Sequence, residues 1–271
     1  KVVLTAPEGI NLIVVKVETN QPGLVGLGCA TFAYRHLAVK CLIEDYLRPQ
    51  TRFAHLFKPP GHADLIARIQ ALADRNVQRF GLADDAHIYA CPQMLFKFHP
   101  DFDAALAGIL RGDERGIVVT IESKYPEWTQ LLVDRWSRMM PDVADRIRFL
   151  PKMPRGDFLE LLACSEVMLD PFPFGGGHTS YEALALGVPV ITLPGQLLRG
   201  RLTHAMYRQM GYADLLGRDV DDYVRAALRL GTERAERTKA SGAILDSCGV
   251  LFEDRGIVRE LEDLWEKLAL S

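Results

Sequence analysis

The sequence predicts an α/β chain: one Rossmann-like lobe, a parallel sheet with helices on both faces, plus an incomplete mixed α/β amino-terminal part. Three observations carry this. From about residue 85 onward, short apolar runs alternate with longer amphipathic stretches. The loops between them are only a few residues long. A glycine-rich turn, Gly175-Gly176-Gly177, stands between one apolar run and the helical stretch that follows. Strand–helix alternation with short connections is the signature of a parallel sheet covered on both sides.

The elements follow in order. Ile88–Cys91 reads as a strand and opens into the loop PQMLFKFHP. Asp101–Arg111 is a helix with Asp101 available as its cap. Ile117–Ile121 is short and β-branched, as a buried parallel strand should be. Glu127–Met139 places Trp128, Leu131, Leu132, Arg135 and Trp136 at helical spacing. Ile147–Leu150 is a strand, Asp157–Cys164 a helix and Val167–Leu169 a strand. PFPFGGGHTS then leads into the helix Tyr181–Leu186, which Gly187 ends, and Val190–Leu193 is the fifth strand. Helices at about 200–210, 219–230 and 233–246 follow, and Phe252–Leu270 reads as an amphipathic surface helix. The expected organisation is 1–74 as a partial or atypical amino-terminal lobe, 75–250 as the Rossmann-like lobe, and 251–271 as the carboxyl-terminal helix. Within 1–74, Asn11–Glu18 and Gly23–Thr31 suit strands, and Tyr34–Leu47 and Ala63–Ala73 suit helices. Arg48–Gly61 suits a linker.

Composition excludes several classes. With 48% hydrophobic and 25% charged residues, the 271-residue chain is of globular type. A net charge of −3 offers no global attraction to nucleic acid or an anionic membrane. No apolar run approaches the roughly 18–20 residues that span a bilayer. The five cysteines, Cys29, Cys41, Cys91, Cys164 and Cys248, are widely spaced and form no C-x-x-C. They read as reduced core thiols of a cytoplasmic protein. The seven histidines show no H-E-x-x-H, and no metal site is expected. Gly23-Leu-Val-Gly26-Leu-Gly28 lacks the dinucleotide-binding order, and G-x-S-x-G is absent. Asp101-Phe-Asp103 and Asp219-Val-Asp221 read as helix caps, not metal ligands. The first residue is Lys rather than Met, as in a fragment or a trimmed product.

The chemistry-bearing residues gather in three loops, each following a strand. The first is Gly175–Ser180. Glycines let a ligand approach the backbone, the N–H groups at a helix start lack partners, and the helix dipole favours an anion. Gly176, Gly177, His178, Thr179 and Ser180 are therefore candidates for phosphate binding. A turn built only for close helix packing has the same spelling. Glu182, four residues past His178, shares its helix face and suits a ribose hydroxyl or, equally, the helix dipole. The second loop carries Gln93, Lys97 and His99. Lys97 reads as a solvated charge, or as an ordered ammonium given its neighbours Leu95, Phe96 and Phe98. The third, Pro151-Lys152-Met153-Pro154-Arg155, reads without further context as a rigid turn.

Taken together, IYACPQMLFKFHP, RIRFLPKMPRGDFLELLACSEVMLDPFPFGGGHTSYEALALGVPVITLPG and RGRLTHAMYRQMGYADLL resemble the carboxyl-terminal half of the O-linked N-acetylglucosamine transferase family. This is glycosyltransferase family 41, and the spelling resembles its bacterial repeat-fused members. The resemblance runs from about Arg75 to Leu268 with the motifs in family order. It implies a GT-B fold, in which two Rossmann-like lobes flank a donor cleft and the carboxyl-terminal lobe binds a UDP-sugar.

The roles it implies are specific. Lys97 matches the lysine on the diphosphate, and with His178 is the expected catalytic pair. Thr179 and Ser180, beside Gly176 and Gly177, match the helix-start phosphate ligands. Glu182 matches an acidic position on ribose, Met153 one whose backbone reads uracil, and Arg155 a basic residue beside the nucleotide. A glutamine expected three residues before the lysine appears as Met94, with Gln93 one position earlier. Phe158 replaces a family histidine, and the H-P loop of the amino-terminal lobe is not found. His36, His55 and His62 lie in none of its context.

The implied activity is metal- and cofactor-independent transfer of a hexose, N-acetylglucosamine first, from UDP to a protein Ser/Thr hydroxyl. The rival is a non-catalytic or truncated UDP-sugar-binding module. A sugar-nucleotide epimerase fits the phosphate site but not the motif spelling.

Overall fold

The computed structural model describes residues 77–252 throughout, the backbone of three strands between residues 2 and 31, and scattered helical positions from 256 to 264. The chain divides into two compact units, Lys1–His62 and Ala63–Ser271.

In the first unit, β1 (Val2–Thr5), β2 (Leu12–Glu18) and β3 (Val25–Thr31) form an antiparallel meander in the order β1-β2-β3. The sequence reading anticipates β2 and β3 but not β1. Gly26 and Gly28 lie inside β3, paired with Val17 and Val15. The helices expected at Tyr34–Leu47 and Ala63–Ala73, the Arg48–Gly61 linker, Cys41, His36, His55 and His62 lie outside the described residues. So does most of the expected helix Phe252–Leu270.

The second unit holds a five-stranded, all-parallel sheet in the order β6-β5-β4-β7-β8. Its strands are β4 (His87–Ala90), β5 (Gly116–Ile121), β6 (Ile147–Leu150), β7 (Val167–Leu169) and β8 (Val190–Ile191). The helices are α1 (Pro100–Gly112), α2 (Pro126–Met139), α3 (Arg155–Cys164), α4 (His178–Ala185), α5 (Leu202–Met210), α6 (Val220–Thr232) and α7 (Arg234–Ser247). Each expected element between residues 86 and 247 is present, with ends displaced by a few residues.

Period-two alternation sends neighbouring strand residues to opposite faces. Tyr89 and Val118 enter one apolar cluster with Phe102, Leu106 and Tyr223, while Ile88 and Val119 enter a second with Leu150 and Leu161. All are fully buried except Leu150, which is nearly so. Each such side chain contributes about 1.5–3 kcal/mol by leaving water. The sheet therefore has a core on each face, which is why its strands read as unbroken apolar runs.

Several local details differ from the sequence reading. Helix α1 begins at Pro100, and the ring of His99 accepts the Asp101 N–H at 3.3 Å, so His99 is the cap. Proline at the first helical position costs no hydrogen bond, which moves the start upstream. Asp103 is neither cap nor ligand: its Oδ1 accepts from Trp136 Nε1 and from Arg135, both at 2.8 Å, tying α1 to α2. Asp219 does cap α6, accepting the Asp222 N–H at 2.7 Å. On α2, Leu132 and Trp136 are buried but Leu131 is 67% exposed. Gly187, with φ of 73°, adopts the left-handed conformation that ends α4. At the sheet's end, the Tyr207 hydroxyl accepts the Val190 N–H at 2.9 Å and donates to the Val190 carbonyl at 2.8 Å.

The strand order fixes where a ligand belongs. From β4 the chain moves outward through β5 and β6, then returns to place β7 on the other side of β4. Connections leave β4 and β7 in opposite directions, and a crevice opens beyond their carboxyl ends.

Candidate functional site

The loops after β4 and β7 meet at that crevice. Beyond β4, the chain makes a short turn at Leu95–Lys97. This brings Lys97 Nζ to 2.8 Å from Gln93 Oε1 and 2.9 Å from the carbonyl of Gly175, its donor hydrogens pointing into both loops. The ammonium also lies 4.8 Å from the centre of the Phe174 ring, within cation–π range. Burial lowers the Lys97 pKa from the ordinary lysine value, while the carboxylate of Asp170 and the thiol of Cys91 oppose that effect. Lys97 is thus an ordered ammonium and not a solvated surface charge.

Gln93 is buried. Its carboxamide accepts from Lys97 and donates to the hydroxyl of Thr179, joining the two loops. Met94, where the family pattern expects a glutamine, is 54% exposed. Gln93 occupies the inward position that the one-residue offset left open.

The turn Gly175–Gly177 packs tightly. A Cβ on Gly176 would lie 2.5 Å from Ser180 Oγ and 2.9 Å from Gln93 Nε2, so only glycine fits. Helix α4 starts at His178, three residues before the expected Tyr181, with Gly177 at its cap and no side chain satisfying the first turn. The Gly177 carbonyl accepts the Ser180 and Tyr181 N–H groups. The N–H groups of Gly177, His178 and Thr179 donate to no carbonyl among the described residues. They are donors awaiting an acceptor at the positive end of a helix dipole.

A cavity of about 560 Å³ lies against these loops, within the usual size of small-molecule sites. It is lined by Gln93, Lys97, Met153, Arg155, Gly177, His178 and Thr179, which the sequence analysis names, and by Phe158. Lys124 and Lys152 also line it, so five cationic or proton-accepting side chains, Lys97, Lys124, Lys152, Arg155 and His178, surround one space. Three named candidates sit behind the wall. The N–H of Gly176 donates to Asp170. Ser180 is fully buried, its hydroxyl 2.9 Å from that of Thr203. Glu182, with an 11% exposed side chain, pairs with Arg155 at 3.2 Å and with His178 one turn earlier at 3.3 Å. That arrangement confirms the shared helix face and holds both bases at the rim.

Asp170 is a member of the site that its local sequence does not single out. It ends β7, is 2% exposed, and accepts from Gly176 and from the Thr192 hydroxyl at 2.7 Å. Its signal was an acidic residue directly after a buried strand and before a glycine turn. Lys124 carries no local signal, because its role depends on strand order. Among the described residues no cluster of three or more His, Cys, Asp or Glu could hold a metal ion. Nor is any described helix long and apolar enough to cross a membrane.

Comparison with known proteins gives two kinds of likeness. The model of glycosyl transferase family 41 matches residues 65–253. A mutant of the Thermobaculum terrenum O-GlcNAc transferase superposes with a TM-score of 0.61 at 30% identity, over 68% of this chain and 36% of that one. An Anabaena HepE protein in complex with UDP and glucose superposes with a TM-score of 0.53 at 12% identity, over 73% of this chain and 52% of that one, a likeness of fold. Separately, 49 residues, 18% of the chain, are 65% identical to a D-galactonate dehydratase family member of Musicola paradisiaca and cover 12% of it. The chain therefore spans between 12% and 52% of the length of these relatives.

Proposed function

Because the chain belongs to glycosyl transferase family 41, we propose that its parallel-sheet unit holds the nucleoside diphosphate of a UDP-sugar and that the protein transfers the sugar to a hydroxyl. The observation that carries this is the meeting of Lys97 with the open N-terminus of α4 at one cavity. In transfer, the bond from the sugar's anomeric carbon to the β-phosphate oxygen breaks, and the diphosphate keeps the electron pair. The acceptor oxygen bonds to that carbon and its proton is released. Charge grows on the leaving diphosphate, where a preorganised ammonium and helix N–H groups lower the barrier most. His178 and Arg155 at the rim add positive charge or donors, and Thr179 offers a hydroxyl steadied by Gln93. Met153 and Phe158 supply apolar surface for the base, and Glu182, behind the wall, holds Arg155 and His178 at the rim where the ribose would lie. No cofactor enters this scheme, since the UDP-sugar is itself the donor substrate.

The likeness to the Thermobaculum O-GlcNAc transferase supports N-acetylglucosamine as the sugar, and the motif resemblance supports a protein Ser/Thr hydroxyl as acceptor. The second reading is a UDP-sugar-binding module without transfer: the contacts named at the cavity are ones that would hold the donor. The 49-residue likeness to a dehydratase covers too little of that enzyme to supply a site of its own. Calorimetric titration with UDP, followed by radiolabelled UDP-N-acetylglucosamine with and without acceptor peptides, separates these. Saturable UDP binding with label in peptide supports transfer. Binding without label supports the module. A folded protein that ignores UDP overturns both.

A further inference from the structure

One peptide unit in the turn is gripped at both ends. The carbonyl of Gly175 accepts from Lys97 Nζ at 2.9 Å, and the N–H of the same peptide bond, that of Gly176, donates to Asp170 Oδ1. The second carboxylate oxygen accepts from Thr192 at 2.7 Å. A Cβ on Gly175 would stand 2.9 Å from both carboxylate oxygens, so the turn lies directly on Asp170. Thr203, whose hydroxyl meets that of Ser180 in the first turn of α4, also favours the charged carboxylate. The carboxylate thus joins the glycine turn to the helix start.

A carboxylate in an apolar core is costly, and a neutral side chain would fill the volume more cheaply. We propose that Asp170 is a positioning residue for the donor diphosphate. It fixes the plane of the Gly175–Gly176 peptide, so that the carbonyl steadies Lys97 and the next three N–H groups are left for the anion. Its negative charge also keeps Lys97 protonated. This inference rests on the UDP-sugar reading above.

The groups facing this pair are few. Cys91 lies near both, and Tyr207 and Tyr223 feel the Asp170 charge from α5 and α6. Burial raises Asp170 itself above the usual carboxylate range, while Gly176, Thr192, Thr203 and Lys97 pull it back. Burial raises all three neighbours, keeping them neutral around pH 8. Across the cavity stand Lys124, Lys152, Arg155 and His178.

The test is UDP affinity against pH for the wild type, Asp170→Asn, Lys97→Ala and Thr192→Val. Wild-type affinity should fall on the alkaline side as Lys97 loses its proton, at a pH below the ordinary lysine value. Asp170→Asn should weaken binding about tenfold or more at pH 7. It should also move that alkaline limb to lower pH, because the charge supporting the ammonium is gone. UDP's own ionisations are common to all variants. Lys97→Ala should lack the limb altogether. Thr192→Val, which keeps the charge, should weaken binding severalfold and leave the limb in place. A folded Asp170→Asn protein with wild-type affinity or an unmoved limb overturns the inference. Should Asp170→Asn fail to fold, a folded Thr192→Val protein with unchanged affinity overturns it instead. Absence of UDP binding by the wild type overturns the functional reading, and is distinct from both.

Discussion

Gln93 donates its side-chain amide to the hydroxyl of Thr179, closing 86 residues of sequence into one hydrogen bond across the crevice. The same carboxamide accepts from Lys97, so a single side chain sets the spacing between a cation and a helix start. Replacing Gln93 with Ala should therefore cost turnover more than UDP affinity. Steady-state kinetics should show kcat reduced about tenfold with a smaller change in the donor KM, as expected when a positioned charge acts on the leaving group. A raised donor KM with kcat unchanged would show that Gln93 binds without positioning.

Lys97 is the group on which transfer depends most directly. Lys97→Ala should lower kcat about 10²–10³-fold, the usual cost of one preorganised stabiliser of developing negative charge. The fold should survive, because the ammonium bonds only to loop groups. Unchanged turnover would remove Lys97 from the mechanism.

Ser180 should behave differently from Thr179 although the two are adjacent. Its hydroxyl is buried against Thr203, so Ser180→Ala should cost about 1 kcal/mol of stability with UDP affinity changed less than threefold. Urea denaturation and calorimetry on the same protein check both halves. A large loss of affinity without loss of stability would mean that Ser180 turns outward to the phosphate.

Asp103 offers a control outside the cavity lining. It accepts from the buried Trp136 indole and from Arg135, so Asp103→Ala leaves a buried N–H unpaired and should cost about 2 kcal/mol or more. UDP binding measured well below the transition should be unaffected. A drop in affinity at full folding would contradict the division between scaffold and site.

Burial pushes the Cys91 thiol well above its ordinary value, with the Asp170 charge adding to the effect. Cys91 should then resist iodoacetamide in the native protein at pH 8 and react readily in denaturant. Peptide mapping by mass spectrometry gives the answer. Rapid native labelling at Cys91 would show that the crevice admits solvent to the end of β4.

What the sequence made legible follows from how local each signal is. The strands of the parallel sheet are apolar over their whole length because both faces are covered, and that pattern is visible without partners. The glycine turn is equally local, because close approach excludes every other residue type at Gly176. The start of α4 lies three residues before the position that the sequence suggests, because His178, Thr179 and Ser180 have modest helix propensity and read locally as loop. Leu131 shares its helical spacing with Leu132 and Trp136, yet α2 buries those two and exposes Leu131, a distinction that only the packed neighbours make. Asp170 and Lys124 were not legible, since what they do depends on the chain's return from β6 to the far side of β4.

The phenol of Tyr207 bonds to both the N–H and the carbonyl of Val190 and so stands in for a sixth strand. A lateral edge closed by a side chain has no open rungs on which another polypeptide could register. Self-templated growth of this sheet is blocked on the β8 side by Tyr207 at Val190 and by the backbone of Leu215 and Gly217 at Thr192. Because Val190 and Tyr207 are fully buried, Tyr207→Phe would reveal itself first as lost stability from an unpaired Val190 N–H, before any effect at the crevice.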